Sequence, residues 1–187
     1  QLRRLRAGVR SGVPGAPGWE KACPARQEDW DFTFEINVRG VALVIEAVSF
    51  HMIKKKSGKI VNIASVAGRQ GHPNFPHYST SKAAVINLTQ AYALGLAPHN
   101  INVNAICPGL VWTPLWESIG LRAKSAESQM SELTAREIFD TRVEALIPLK
   151  REQTPQDIGN TIAFLVSDYA RNITGQAINV DGGLRMN

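Results

Sequence analysis

The sequence predicts an α/β fold in which helices cover both faces of a parallel β-sheet. Short apolar runs that are typical of buried strands alternate with longer segments whose apolar residues recur with a helical period. Strands separated by helices of this length need right-handed crossovers, which make neighbouring strands parallel. The 187-residue chain is 44% apolar, which is sufficient for one domain with its own core.

The first two elements are a long helix over 28–54 and a buried strand over 59–65. The helix follows from apolar positions spaced by three and four residues, at Ile36, Gly40, Leu43, Ala47 and Phe50. Three lysines and then Ser57-Gly58 indicate its end. The apolar run that follows predicts the strand, which ends at Ser65.

A second helix is expected over 77–97, where Pro98-His99-Asn100 stops it. A strand over 101–106 then leads into a Pro108-Gly109 turn. Residues 110–150 are polar and predicted to be partly helical. Thr154-Pro155 opens a helix that reaches about residue 166, because proline is favoured at the first helical position. Residues 177–180 form the last predicted strand.

Residues 1–28 form an irregular basic segment, and residues 29–187 form the folded part. The front holds six basic and two acidic side chains, whereas the remainder holds fifteen and fourteen. Such a front is an arm for nucleic acid, a disordered segment, or sequence from a disrupted or misread coding region. The last two readings are favoured because no nucleic-acid-binding motif accompanies the arginines, and no nucleic-acid partner is expected.

Several classes of protein are not expected from this sequence. No stretch approaches the ~18 apolar residues of a membrane span, and no apolar core of a secretory signal is visible, so we expect a cytoplasmic protein without membrane contact. Cys23 and Cys107 do not make a disulfide framework, and the four histidines are scattered, so no metal site is expected.

The candidate catalytic residues are Ser65, Tyr78 and Lys82. Tyr78 and Lys82 are four residues apart on a predicted helix and therefore share a face. A phenol ionises near pH 10, and a neighbouring ammonium lowers its pKa. Ser65, thirteen residues upstream, can hold a carbonyl or alcohol oxygen while Tyr78 transfers a proton. Ser65 and Pro108-Gly109 both follow strands, so they lie at the same edge of the sheet.

Four further motifs accompany these residues in the same order along the chain. They are Asn37-Val38-Arg39-Gly40, Asn62-Ile63-Ala64-Ser65-Val66-Ala67-Gly68, Asn104-Ala105-Ile106-Cys107-Pro108-Gly109, and Ile173-Thr174-Gly175-Gln176 with Val180-Asp181-Gly182-Gly183. From about residue 28 to its end, the chain resembles the short-chain dehydrogenase/reductase family. The closing motif and Thr113-Pro114 resemble members that act on polyols, diols and sugar alcohols.

The resemblance implies a three-layer Rossmann-like domain that transfers hydride between NAD or NADP and a secondary alcohol or ketone. It makes Tyr78 the acid/base, Lys82 the residue that lowers its pKa and binds the cofactor ribose, and Ser65 the holder of the substrate oxygen. Asn37 would hold a water that links Lys82 to solvent. The implied cofactor-binding residues are Tyr78, Lys82, Pro108, Gly109, Val111 and Thr113. By position, the substrate pocket includes Val66, Asn74, Cys107, Trp112, Leu115 and Trp116.

The resemblance also implies a homo-oligomer, a dimer or tetramer, formed through the helices over 28–54 and 77–97. We expect Val41, Val44, Val48, Val85 and Leu88, or their neighbours, at this interface. A helix that is apolar nearly all round is usually buried on both sides.

The front of the chain departs from the family, because the glycine-rich turn that holds the dinucleotide pyrophosphate is missing. Gly8, Gly12 and Gly15 have the wrong spacing, and no apolar strand precedes them. We therefore expect a sheet without the first strand–helix units of the family. Two hypotheses remain: a working oxidoreductase whose front is absent from this chain, and a catalytically silent fragment that only self-associates. The choice between NAD and NADP is open.

Overall fold

The computed structural model describes residues 25–72, 74–126 and 132–186. Its described strands are β1 (Gly58–Ile63), β2 (Ile101–Pro108) and β3 (Ala177–Val180). They form a parallel sheet in the order β1-β2-β3. The predicted fold class is confirmed, although β2 runs two residues beyond the predicted end at 106.

A continuous helix, interrupted by a wider turn, comes first. It consists of α1 (Gln27–Phe34), a π-helical stretch (Glu35–Gly40) and α2 (Val41–Lys55). The sequence predicts one regular helix over 28–54 and gives no sign of the π-helical stretch, which contains Asn37. The helix ends at Lys56, whose left-handed backbone (φ 49°) lets Ser57 N–H donate to the Met52 carbonyl.

The second long helix, α3 (Pro76–Leu96), packs on the face of the sheet formed by alternate residues of β2. Val85 and Ala93 of α3 are buried with Val103 and Ala105 of β2 in two adjoining clusters. The buried Asn62 of β1 donates from Nδ2 to Thr89 Oγ1 of the same helix, at 2.9 Å. These contacts fix α3, and with it the first turn that carries Tyr78.

Three further helices follow β2: α4 (Pro114–Ala126), α5 (Ala135–Leu146) and α6 (Pro155–Val166). The region 110–150, predicted to be partly helical, therefore contains two helices. Leu165 of α6 is buried with Ile106 of β2 on the face opposite α3, which completes a layer of helices on each side of the sheet. Asn104 of β2 holds the segment that leads into β3, since its amide donates to the Ile173 carbonyl and accepts from Gln176 N–H.

The helix over 27–55 corrects the expectation that no stretch of the chain resembles a membrane span. By length and composition alone, it is apolar enough to cross a bilayer. Core helices of soluble proteins pass the same test. In this fold Ile45 is 1% exposed and packs with Ala93 and Val103, so one face of the helix belongs to the core.

Candidate active site

The site lies at the carboxyl edge of the sheet, where β1 and the start of α3 meet. Ser65 follows β1 by two residues, Tyr78 lies in the first turn of α3, and Lys82 lies one turn later. The Ser65 hydroxyl lies close enough to the Tyr78 phenol to lower its pKa in part. Lys82 Nζ lies 5.8 Å from the centroid of the Tyr78 ring. The structure thus brings together the three residues that the spacing singled out.

Ser65 begins a short 3-10 turn over Val66–Gly68. Its Oγ accepts from Ala67 N–H at 3.1 Å, and its carbonyl accepts from Gly68 N–H at 2.9 Å. Gly68 then touches the backbone of α3, because a Cβ at this position would lie 2.7 Å from the Lys82 carbonyl carbon. Only glycine allows this approach, which holds the Ser65 turn against the helix that carries Tyr78 and Lys82.

The two titratable side chains of the site are both shifted by burial. Burial raises the pKa of Tyr78, and the hydrogen bond from Ser65 opposes this only in part. Burial lowers the pKa of Lys82, and the nearby Cys107 opposes that shift. Lys82 Nζ donates to the Ile63 carbonyl at 2.9 Å, and burial is the largest influence on the pKa of Tyr78. The role of Lys82 in lowering that pKa stays a prediction.

Asn37 is connected to the site through one intervening side chain. Its Nδ2 donates to Ser81 Oγ at 3.0 Å, and Ser81 Oγ donates to the Tyr78 carbonyl at 2.8 Å. The π-helical stretch places Asn37 opposite α3 at this point. Its predicted role in holding a water beside Lys82 stays a prediction.

The predicted cofactor loop is fixed at both ends. Pro108 is the last residue of β2, and Gly109 N–H donates to the Val180 carbonyl at 3.0 Å. A Cβ on Gly109 would lie 2.8 Å from Asp181 Cα, a backbone atom, so glycine is required here as well. Val111 forms a bridge with Gln153, and the Thr113 carbonyl accepts from Glu117 N–H at the start of α4.

The residues predicted to line the substrate pocket are more dispersed. Val66 packs with the cluster beneath the Ser65 turn, and Asn74 is exposed. Leu115 is 62% exposed. Trp112 and Trp116 each meet the Phe139 ring at 5.2 Å, in a cluster with Leu110 and Val143. The two indoles therefore hold α4 and α5 to the loop after β2.

Arg69 and Asp181 also belong to this edge, although the sequence did not single them out. Arg69 donates to the Ala177 carbonyl and, at 3.2 Å, to Asn179 Oδ1. It also contacts the fully buried Cys107, whose pKa is raised by burial and lowered in part by this guanidinium. Asp181 accepts from Gly183 N–H and Arg185 N–H. No local pattern in the sequence signals contacts over such long separations.

Among the described residues, no group of three His, Cys, Asp or Glu side chains is placed to hold a metal ion. Two titratable groups at this edge, the Lys82 amine and the Cys107 thiol, interact with each other in desolvated positions.

Comparison with protein families places this geometry in context. Residues 17–185 match the family model described as "Enoyl-(Acyl carrier protein) reductase". Among curated relatives, the 3-oxoacyl-[acyl-carrier-protein] reductase of Thermotoga maritima is 40% identical over 159 residues, which cover 85% of this chain and 58% of the relative. The corresponding reductase of Synechocystis is 41% identical over 160 residues, or 85% of this chain and 57% of the relative.

Solved structures give the same picture. An NAD+-bound xylitol dehydrogenase superposes with a TM-score of 0.75 at 36% identity, covering 84% of this chain and 61% of that chain. Sorbitol-6-phosphate 2-dehydrogenase from Erwinia amylovora superposes with a TM-score of 0.80 at 32% identity, covering 87% and 62%. The chain thus spans less than two thirds of the length of the proteins it resembles.

Proposed function

The chain belongs to the short-chain dehydrogenase/reductase family, and from this premise we propose that it is the catalytic part of an NAD(P)-dependent oxidoreductase acting on a secondary alcohol or ketone. The observation that carries the proposal is the juxtaposition of the Ser65 hydroxyl and the Tyr78 phenol, with the Lys82 amine 5.8 Å from the centroid of the same ring. A paired hydroxyl and phenol can bind one oxygen atom and exchange a proton with it.

Tyr78 is the proton donor when a ketone is reduced and the acceptor when an alcohol is oxidised. The phenol, whose pKa burial raises above its ordinary value of 10.0, is protonated at neutral pH and can donate its proton to a ketone oxygen. Ser65 holds the substrate oxygen beside it and polarises the carbonyl. Lys82, whose pKa is lowered by burial, has its amine within the same desolvated region and can exchange its Ile63 contact for a contact with the phenol or a ribose hydroxyl.

The residues at this edge fit the nicotinamide end of NAD or NADP, which supplies or accepts the hydride. Gly109 packs against Gln153 and Asp181, and its neighbours Pro108, Val111 and Thr113 lie on a loop that is fixed at both ends. Tyr78 and Lys82 would bind the adjoining ribose. Asn37 would hold the water that connects Lys82 to solvent.

The substrate is a small molecule with a hydroxyl or carbonyl group. The structural neighbours are a xylitol dehydrogenase and a sorbitol-6-phosphate dehydrogenase, which supports a polyol or related diol, while the curated relatives are 3-oxoacyl reductases. All of these reactions interconvert a secondary alcohol and a ketone, which is the substrate class proposed here. A cytoplasmic location stays a prediction from the sequence.

A second candidate is a catalytically silent chain that only associates with copies of itself. Exposed apolar residues on α2, among them Val44 (63% exposed) and Val48 (37% exposed), suit a helix-to-helix interface. Val85, which the sequence placed at this interface, is fully buried in the core and is removed from it.

The test uses a front-extended chain, in which residues 25–187 follow the nucleotide-binding half of the Thermotoga maritima relative. We expect it to oxidise NADH or NADPH in step with the loss of an added ketone, whereas the 187-residue chain alone binds either cofactor weakly in calorimetry. A folded front-extended chain that binds cofactor but reduces no ketone or 3-oxoacyl substrate would favour the silent alternative.

A further inference from the structure

We propose that Arg69 is a positioning residue, which holds the Ser65 hydroxyl at the Tyr78 phenol by fastening the turn after β1 to β3. The proposal rests on the function proposed above, because it assigns a task to Ser65 and Tyr78 as a pair. Its evidence is independent of any substrate or cofactor and consists of the contacts of Ser65, Gly68 and Arg69.

The segment from Ser65 to Arg69 is a small unit closed by its own hydrogen bonds. Ala67 N–H donates to Ser65 Oγ, Gly68 N–H to the Ser65 carbonyl, and Arg69 N–H to the Val66 carbonyl at 3.0 Å. The near end of the turn is fixed by the end of β1, where Ala64 N–H donates to the Ile106 carbonyl of β2 at 2.8 Å. The position of its far end depends on separate anchors.

That end has two anchors, which lie on different elements. Gly68 touches the backbone of α3 at Lys82, as its missing Cβ requires. Arg69 extends the other way, past Cys107 in the carboxyl-terminal part of β2, and donates to the Ala177 carbonyl and to Asn179 Oδ1. Asn179 is itself held, since its Nδ2 donates to the Arg185 carbonyl at 2.8 Å.

Arg69 therefore links the outer two strands of the described sheet across the central one. β1 and β3 each pair with β2 and not with each other. The guanidinium lies next to the buried Cys107 at the end of β2, in a half-buried position. A planar fork with several donors can bond a carbonyl and an amide oxygen together, which the single ammonium of lysine does less well.

Loss of the Arg69 contact with β3 would leave the far end of the turn anchored only by Gly68 on α3. Ser65 Oγ would then move relative to Tyr78, and the hydrogen bond that favours the phenolate would weaken. Since burial already raises the pKa of Tyr78, losing the opposing bond would raise it further.

The ionisation of Tyr78 in the 187-residue chain measures this effect without any assay of turnover. The chain has three tyrosines, Tyr78, Tyr92 and Tyr169, so 3-fluorotyrosine labelling gives three fluorine resonances that are followed against pH by NMR. The resonance lost in Tyr78→Phe identifies the site. We expect Arg69→Met to move the Tyr78 midpoint upward by about 0.5 to 1 pH unit, the shift that one lost hydrogen bond produces.

Three comparisons separate positioning from simpler effects. Arg69→Lys keeps the charge and should still shift the midpoint upward. Arg171→Met, at an exposed arginine, should not shift it. In a Ser65→Ala background, Arg69→Met should add no further shift, because the bond it protects is already absent. If Arg69→Met does not fold, Arg69→Gln is measured in its place. The glutamine side chain is too short to reach Ala177 and Asn179 of β3.

The proposal is overturned if the midpoint is unchanged in Arg69→Met or Arg69→Gln, if Arg69→Lys behaves like the parent, or if the shift persists in the Ser65→Ala background. A front-extended chain without turnover would contradict the proposed function while leaving these midpoints as they are. The two failures are therefore distinguishable.

Discussion

Individual residues of this site depend on close backbone contacts as much as on reactive groups. Gly68 lies against Lys82 of α3, and Gly109 lies against Gln153 and Asp181. Both glycines lack a side chain where any other residue would meet a neighbour below 3.0 Å. The position of Ser65 therefore depends on a residue three positions later that takes no part in proton transfer.

Gly68→Ala should lower the free energy of unfolding by about 1–3 kcal/mol, because its Cβ would lie 2.7 Å from backbone that cannot move aside easily. Urea denaturation of the 187-residue chain measures the loss. Gly71→Ala is the matched control, since nothing lies within 4 Å of its added Cβ. Equal stability of the two variants would contradict the close approach at Gly68.

The pKa of Lys82 gives a second expectation at this scale. Its folded-state pKa is lowered by burial, so the folded chain binds fewer protons than the unfolded chain in the window just below the ordinary value of 10.5. The contribution of this residue to the unfolding free energy therefore rises with pH through that window. Below the folded pKa both states are protonated, and the contribution stays constant at its lowest value. Burial of Tyr78 acts oppositely above its ordinary pKa of 10.0, so the measurement is confined to lower pH.

Lys82→Met should lose this gain in stability between neutral pH and about pH 10, because it has no amine to titrate. Denaturation curves of parent and variant over this range provide the comparison. The same slope in both proteins would show that Lys82 is not desolvated in the folded chain.

Sequence reasoning at this scale identified the reactive groups and missed their supports. The spacing of Ser65, Tyr78 and Lys82 follows from a strand end and one helix face, which local patterns reveal. Arg69 donates hydrogen bonds to two residues of β3, Ala177 and Asn179, which are 108 and 110 positions later in the sequence. Only the folded topology brings these residues together. Whether an indole lines a pocket or packs on Phe139 likewise depends on tertiary contacts.

Secondary-structure elements were predictable where the apolar pattern and the residues that end a helix or strand agree. The last strand was predicted at its observed bounds, and α3 is shifted by one residue from the predicted 77–97. The π-helical stretch over Glu35–Gly40 was missed, because its extra residue per turn leaves the apolar spacing nearly unchanged. The helix also starts at Gln27, just inside the segment predicted to be irregular; residues 1–24 lie outside the described part of the chain.

The start of α6 illustrates a local signal that determines an element. Thr154 accepts from Asp157 N–H at 3.2 Å, and Asp157 accepts from Thr154 N–H at 2.8 Å, so the two residues form a capping box ahead of Pro155. These bonds also lower the pKa of Asp157. The cap fixes where the helix begins and hence how Leu165 meets Ile106.

Thr154→Ala should therefore lower the unfolding free energy by about 1 kcal/mol, the usual cost of losing such a cap. Thr161→Ala serves as the control, since its hydroxyl bonds only to the Asp157 carbonyl within the same helix. Thermal or urea unfolding distinguishes them, and a loss no greater than that of the control would contradict the capping role.

At the scale of the whole molecule, the described chain is a partial sheet with unusual apolar exposure. Leu43 (52% exposed), Val44 and Val48 lie on the outer side of α2, and Ile63 at the end of β1 is 43% exposed. The family resemblance predicted a sheet lacking its first strand–helix units, and the share of the relatives that the chain covers agrees with this. Which of these exposed apolar surfaces is covered by another chain depends on tertiary contacts, which local sequence patterns do not show.

We predict that the chain self-associates through α2. Static light scattering at micromolar concentration should report a mass above that of one chain, and Val44→Ser combined with Val48→Ser should reduce it. Leu146→Ser, which removes an exposed leucine on α5 (55% exposed), should leave the mass unchanged. A folded monomer in the parent protein would refute this interface.

The most direct test of the account is the effect of Tyr78→Phe on the front-extended chain. Removing the phenol oxygen should lower kcat by about 10²- to 10⁴-fold, the usual contribution of a positioned acid/base, while the dissociation constant of NADH or NADPH stays unchanged. Tyr92→Phe, whose hydroxyl donates to Glu46 away from the site, should keep the kcat of the parent. A Tyr78→Phe protein whose kcat stays within about tenfold of the parent would contradict Tyr78 as the proton-transfer group.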